Sequence, residues 1–138
     1  GIGGARDRAF AEAQGEWLAF IDQDDLWLPG KLLAQDRLIQ ADRDGVLGLV
    51  YGRTRRFASD GWKGSFDAWH GRGPLPEGDL HAELVRKPSF IALSSACVRK
   101  SAVLELGRIP PDVRHCPDYY LFLAVTRHWR AACVQEVI

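Results

Sequence analysis

Apolar residues along the chain fall into short runs whose spacing changes from one run to the next. Ala5, Ala9 and Ala13 recur every four residues with helix formers between them, which predicts a helix stopped at Gly15. "EWLAFI" (16–21) is continuous and apolar, suited to a strand covered on both faces. Pro29 suits the first turn of a second helix, in which "KLLAQDRLIQ" directs Leu32, Leu33, Leu38 and Ile39 toward a core. "GVLGLVYGRTRRFA" (45–58) reads as the next strand, and Arg53, Arg55 and Arg56 at its basic end read as a solvated edge. Residues 59–78 have neither helical nor strand period, which predicts a long functional loop or an insertion. Beyond it, "DLHAELVR" predicts a short helix, and "FIALSSACVRKSAVLELG" an apolar segment entering a helix that stops at Gly107. "DYYLFLAVTRHW" reads as a helix and "AACVQEVI" as a strand. Helices alternating with apolar strands predict an α/β fold around a layered sheet, in which ligands bind at the carboxyl ends of strands.

Composition narrows this picture. The 138 residues fit one domain with a real core, and 46% apolar with 26% charged residues excludes a disordered chain. Equal numbers of basic and acidic residues give zero net charge, which argues against nucleic acid as a partner. Cys97, Cys116 and Cys133 are odd in number and widely spaced, which fits a reduced, cytoplasmic setting better than a disulfide framework. No run approaches the roughly 20 apolar residues of a membrane-spanning helix. The chain opens on Gly1 within a pattern rather than ahead of one, the expectation for a fragment.

The candidate chemistry begins at "FIDQDDLWLP" (20–29), which crowds Asp22, Asp24 and Asp25 behind a buried strand. Like charges this close repel, so folding alone does not ask for them. A helix–loop–helix calcium loop starting at Asp22 would need glycine where Trp27 stands, and that reading fails. A phosphatase with an aspartate nucleophile would want threonine or valine where Leu26 stands, and the match is weak. A D-x-D diphosphate clamp needs only Asp22 and Asp24 on one turn, because phosphates and waters complete the shell of Mg²⁺ or Mn²⁺. The bland alternative is a solvated turn with Asp25 as a helix cap.

Residues 3–35 go further than D-x-D. Ala5-Arg6-Asp7, Gly15-Glu16-Trp17, Asp22-Gln23-Asp24-Asp25 and Trp27-Leu28-Pro29-Gly30-Lys31-Leu32 together resemble the family 2 glycosyltransferases of the GT-A fold, with Asp7 where asparagine is usual. "SSACVRKSAVLELG" and "CPDYYLFLAVTR" resemble the family's later segments more loosely. There Pro117 takes the place of a glutamate that precedes the aspartate Asp118.

The resemblance implies a Rossmann-like mixed sheet flanked by helices. It implies one partial catalytic domain over 1–138, lacking the N-terminal strands that hold the nucleotide base. The implied activity is inverting, metal-dependent transfer of a sugar from a nucleotide-diphosphate donor to an acceptor hydroxyl, in cell-surface polysaccharide or glycan synthesis. Asp118 is then the catalytic base, Asp22 and Asp24 hold Mg²⁺ or Mn²⁺, and Asp22, Asp24, Asp25 and Arg6 meet the donor. Asp118 also suits an N-terminal helix position favoured by the helix dipole, and both roles can hold. Trp62, Trp69 and His115 are acceptor-side candidates, since aromatic faces stack on sugars. The partners implied are a nucleotide-diphosphate sugar and a glycan or lipid-linked acceptor, in the cytoplasm or at the inner face of the membrane. The parent protein would touch that membrane peripherally. The alternative is a catalytically silent binding module that keeps the fold, which Pro117 leaves open.

Overall fold

The computed structural model describes residues 2–58, 61–62, 73–88, 90–107, 109–110, 113 and 115–138, without the side chains of 2–3, 57–58 and 61–62. In chain order the elements are α1 (Ile2–Glu12), β1 (Trp17–Ala19), α2 (Lys31–Ala41), β2 (Leu47–Arg53), β3 (Phe57–Ala58) and β4 (Gly61–Trp62). There follow α3 (His81–Arg86), β5 (Cys97–Arg99), α4 (Lys100–Glu105), α5 (Pro117–Thr126) and β6 (Arg130–Val137). A single 3₁₀ turn, Leu93–Ser95, leads into β5.

Four strands build a mixed sheet in the order β1-β5-β2-β6. β5 runs antiparallel to both β1 and β2, and β2 runs parallel to β6. β1, β2 and β6 therefore point the same way, and their carboxyl ends meet at one edge of the sheet. The chain entering β5 arrives at that same edge.

Alternation along the strands sorts the two faces. Leu18, Val98, Leu49, Tyr51, Ala131 and Cys133 belong to the main core, with Phe10 of α1, Leu84 of α3, Ala102 and Val103 of α4, and Leu121, Phe122 and Val125 of α5. Cys97, Val50 and Val134 are buried outside that cluster, on the face that α2 covers. Arg99 fastens the far end of the sheet: its guanidinium lies 4.9 Å from the Trp17 ring centroid and 5.5 Å from that of Trp129, with Nη2 3.1 Å from Asp42 Oδ2.

Several details depart from the sequence-based expectation. α2 turns Lys31 and Gln35 inward, buried to 2% and 1% exposure, whereas Leu32 and Leu33 are about half exposed. Ala34 and Leu38 are half-buried beside them, so the face at i, i+3, i+4 and i+7 packs on the sheet with two polar residues in its first turns. β1 is covered on one face only, since Leu18 is buried and Ala19 exposed. Pro29 precedes the helix rather than opening it, because Gly30, at φ 88°, is the N-cap.

Of the stretch expected to be aperiodic, residues 59–60 and 63–72 lie outside the described residues. β4 inside it pairs with β3 just ahead of it, and its last part is tied to the sheet. Gly78 bridges Ala131, the Tyr51 hydroxyl donates to Pro76 O at 2.5 Å, and Leu75 N donates to Gln135 Oε1 at 2.8 Å.

Candidate active site

An open cleft of about 490 Å³ lies over the carboxyl ends of the parallel strands. Its walls are the turn after β1 with Asp22, Asp24 and Asp25, residues 54–56 after β2, Ala92–Ser94 ahead of β5, Asp118 on α5, and Val137 and Ile138 ending β6. Residues far apart in sequence thus share one wall system, as the crossing of β5 between β1 and β2 requires.

The acidic turn is held from below. Asp25 N donates to Asp22 O at 3.1 Å, closing the turn, and Asp22 N donates to Ser94 Oγ at 2.9 Å. Trp27 Nε1 reaches both Phe20 O (3.1 Å) and Ser94 O (2.9 Å), so one indole N–H ties the two ends of the turn to the β5 approach. Phe20 packs edge-on against Phe10 at 5.9 Å. Beneath Trp27, Lys31 Nζ sits 4.6 Å from the ring centroid and donates to Gln35 Oε1 at 2.5 Å. Gln35 Nε2 donates onward to Val50 O (3.2 Å) and Ser95 O (2.9 Å). Burial pushes the Lys31 ammonium below its ordinary pKa. Such a chain of buried polar groups fixes one geometry, provided every member keeps its partner.

Electrostatics couple the cleft's carboxylates. Burial raises the Asp22 pKa above the usual carboxylate value; Arg6 opposes this, while Asp25, Asp24 and Asp118 add to it by repulsion. Arg6 is half-buried on α1, and its Nη1 is shielded from solvent with no hydrogen-bond partner among the described residues. Asp22, Asp24 and Asp25 are all exposed on the cleft wall. Among the described residues no three histidine, cysteine or acidic side chains form a ready-made metal cage. The donor set instead suits a hard divalent cation taken by one or two carboxylates, with ligand oxygens and water completing its shell.

Asp118 lies in the first turn of α5, half-buried. Pro117 fills the N1 position ahead of it, where the missing N–H costs nothing, and it follows Cys116 in a left-handed conformation at φ 48°. Arg6 acts on Asp22 from outside the cleft lining, and His115 is exposed and also outside it. The Trp62 side chain and the whole of Trp69 lie outside the described residues. Asp25 caps no helix, since α2 starts six residues later. Asp7 Oδ1 accepts from Ile109 N at 3.2 Å, a fold contact.

Sequence reasoning missed three features here. Arg55 and Arg56 line the cleft instead of a bare edge, Ser94 holds Asp22, and Lys31 with Gln35 supports the turn. A basic pair closing a strand was the only sequence signal for the first. Ser94 and Lys31 stand within the quoted motifs, but nothing local told which groups they would hold.

The family model described as Glycosyl transferase family 2 matches residues 1–107. No curated protein matches the chain. The mixed sheet flanked by helices is the GT-A type of α/β fold.

Proposed function

Because the chain belongs to glycosyl transferase family 2, we propose that this cleft carries out inverting, cation-dependent transfer of a sugar from a nucleotide-diphosphate donor to an acceptor hydroxyl. One observation carries the reading: Asp118 and the Asp22–Asp25 turn, remote in sequence, face the same cleft and sense each other electrostatically. Asp118 accepts the proton of the acceptor hydroxyl as its oxygen forms the new bond to the anomeric carbon. The bond from that carbon to the diphosphate oxygen breaks at the same time, and the nucleoside diphosphate leaves with the electron pair. A single displacement of this kind inverts the anomeric centre.

Asp22 and Asp24 would hold the cation, Mg²⁺ or Mn²⁺. Bound there, it offsets the charge of the diphosphate. Asp25 and Arg6 shape the surrounding field, with Arg6 keeping Asp22 closer to its ionised form. The acceptor in this reading is of the glycan or lipid-linked class. A role in cell-surface glycan synthesis on the cytoplasmic side belongs to the same proposal.

The test is a screen of nucleotide sugars for release of nucleoside diphosphate, with and without Mn²⁺, paired with calorimetry on Asp24→Asn. The expected outcome is cation-dependent release by the wild type and loss of most cation-dependent nucleoside diphosphate affinity in the variant. Equal affinity in the two proteins overturns the clamp. No release with any donor, from a protein that still binds nucleoside diphosphate, favours a silent binding module.

A further inference from the structure

Among the described residues the buried polar side chains are Lys31, Gln35, Ser94, Ser95 and Thr126. Buried donors ordinarily find acceptors, and four of these do. Lys31 Nζ donates to Gln35 Oε1, and Gln35 Nε2 donates to Val50 O and Ser95 O. Ser95 Oγ donates to Ala92 O and Thr126 Oγ1 to Phe122 O, each at 2.8 Å. Ser94 differs. Its Oγ accepts from Asp22 N at 2.9 Å, so the hydroxyl proton points elsewhere, and no acceptor meets it among the described residues. Of the five, Ser94 alone lines the cleft, at 7% exposure. The Asp22 N–H fixes its side chain, and its own carbonyl holds the Trp27 indole. The proton can then swing only about the Cβ–Oγ bond, on the side away from Asp22 N.

We infer that the Ser94 hydroxyl is a ligand-contacting donor of the cleft, giving its proton to an anionic oxygen of the diphosphate held at the Asp22–Asp24 turn. The inference deepens the glycosyl-transfer reading and rests on it for the diphosphate. Position selects the donor's phosphates over the acceptor: a diphosphate gathered on Asp22 passes close to the hydroxyl seated on the Asp22 N–H. Chemistry agrees. Asp22, Asp24, Asp25 and Asp118 line the cleft and, when ionised, only accept hydrogen bonds. An anionic ligand among them needs donors, and an O–H bond to a charged oxygen is shorter and stronger than one to a neutral oxygen. A hydroxyl polarised in this way is also a better acceptor, so the ligand would tighten the Asp22 N–H bond that holds the turn.

The test is calorimetric titration of the full chain with nucleoside diphosphate plus Mn²⁺, comparing wild type, Ser94→Ala, Ser94→Thr and Asp24→Asn. Melting temperatures confirm that each is folded. Ser94→Ala should weaken affinity at least about tenfold, the loss of one charge-assisted hydrogen bond. Ser94→Thr keeps the hydroxyl and should restore most of that loss. Alanine also leaves Asp22 N without its acceptor, so the position of the turn is read independently. The Trp27 indole N–H, bonded to Phe20 O and Ser94 O, reports it through its proton–nitrogen resonance in the free protein, assigned by its absence in Trp27→Phe. That resonance should stay in place in Ser94→Ala, because Asp22 is exposed and its N–H can turn to water.

Weaker binding with the indole resonance unmoved, recovered by threonine, supports the contact. Wild-type affinity in Ser94→Ala overturns it. An affinity loss accompanied by a displaced indole resonance also overturns it, since Ser94 then only braces the turn. Threonine as weak as alanine, with the resonance in place, overturns the role of the hydroxyl. Affinity that responds to Ser94→Ala and ignores Asp24→Asn removes the clamp reading alone. A wild type that binds no nucleoside diphosphate overturns both.

Discussion

Gln35 is the residue on which the support of the acidic turn converges, and replacing it with methionine of similar shape isolates its polar contribution. Two hydrogen bonds from Nε2, to Val50 O and Ser95 O, would be lost at about 1 kcal/mol each. The bond from the buried Lys31 ammonium would go as well, leaving that charge beside an apolar side chain, for about a further 2 kcal/mol. Gln35→Met should therefore cost about 4 kcal/mol, a large share of the stability of a small domain. Lys31→Met should cost less, about 1–2 kcal/mol, because removing the buried charge relieves its desolvation while leaving Gln35 Oε1 unpaired. In the double variant no ammonium is stranded, so the total should fall short of the sum by about 2 kcal/mol.

Urea unfolding followed by tryptophan fluorescence measures all four corners of this cycle. A second readout comes from pH. Burial lowers the Lys31 pKa in the folded state. Below that lowered value both states keep the proton and folding bears the full penalty of burying it. As pH rises from there toward the ordinary lysine value, the unfolded chain holds more protons than the folded one, so stability increases. Lys31→Met should flatten that rise. Additive single and double effects, or a Gln35→Met cost below about 1 kcal/mol, would refute the view that these two side chains act as one unit.

Asp118→Asn should keep nucleoside diphosphate affinity and melting temperature but lose about 10²–10⁴ in transfer rate, measured at saturating donor; near-normal turnover would leave Asp118 a helix-terminus residue. Asp22→Asn should stabilise the fold at neutral pH. The raised folded pKa means that wild-type stability falls as pH climbs from the ordinary carboxylate value through the folded one, and the variant's melting curve should lack that fall. Gly48→Ala should destabilise by about 1–3 kcal/mol in thermal melts, because an added Cβ would overlap the Trp129 side chain, and wild-type stability would show that the tryptophan can move aside.

Much of the cleft's acidic lining was legible because it is written in contiguous residues. The acidic turn, the strand before it and the helix after it stand in one run, and Asp118 sits where a short helix begins. What could not be read is what tertiary pairing decides. Insertion of β5 between β1 and β2 brings Ser94 under Asp22, and no local pattern encodes strand order. α2 defeated the periodicity argument because Lys31 and Gln35 occupy core-facing positions that apolar residues normally hold, while Leu32 and Leu33 face outward. Arg55 and Arg56 looked like a solvated edge since any charged strand end does; only the strand's place in the sheet turns that end into a cleft wall.

These misreadings share a cause. A turn that presents several carboxylates to one cleft is electrostatically unfavourable, so the fold has to hold it against its tendency to open. Apolar packing cannot do this, because it fixes the depth of a loop without fixing the direction of its backbone N–H groups. Directional bonds can: Ser94 and the Trp27 indole tie the turn to the β5 approach, and Lys31 with Gln35, which bonds Val50 O and Ser95 O, braces that approach from α2. Such groups are costly to bury and gain their value only together. The breaks in the hydrophobic pattern of α2 therefore stand beneath the strained charges of the cleft. A chain under no demand to present Asp22 and Asp24 would be expected to place leucine where Lys31 and Gln35 are.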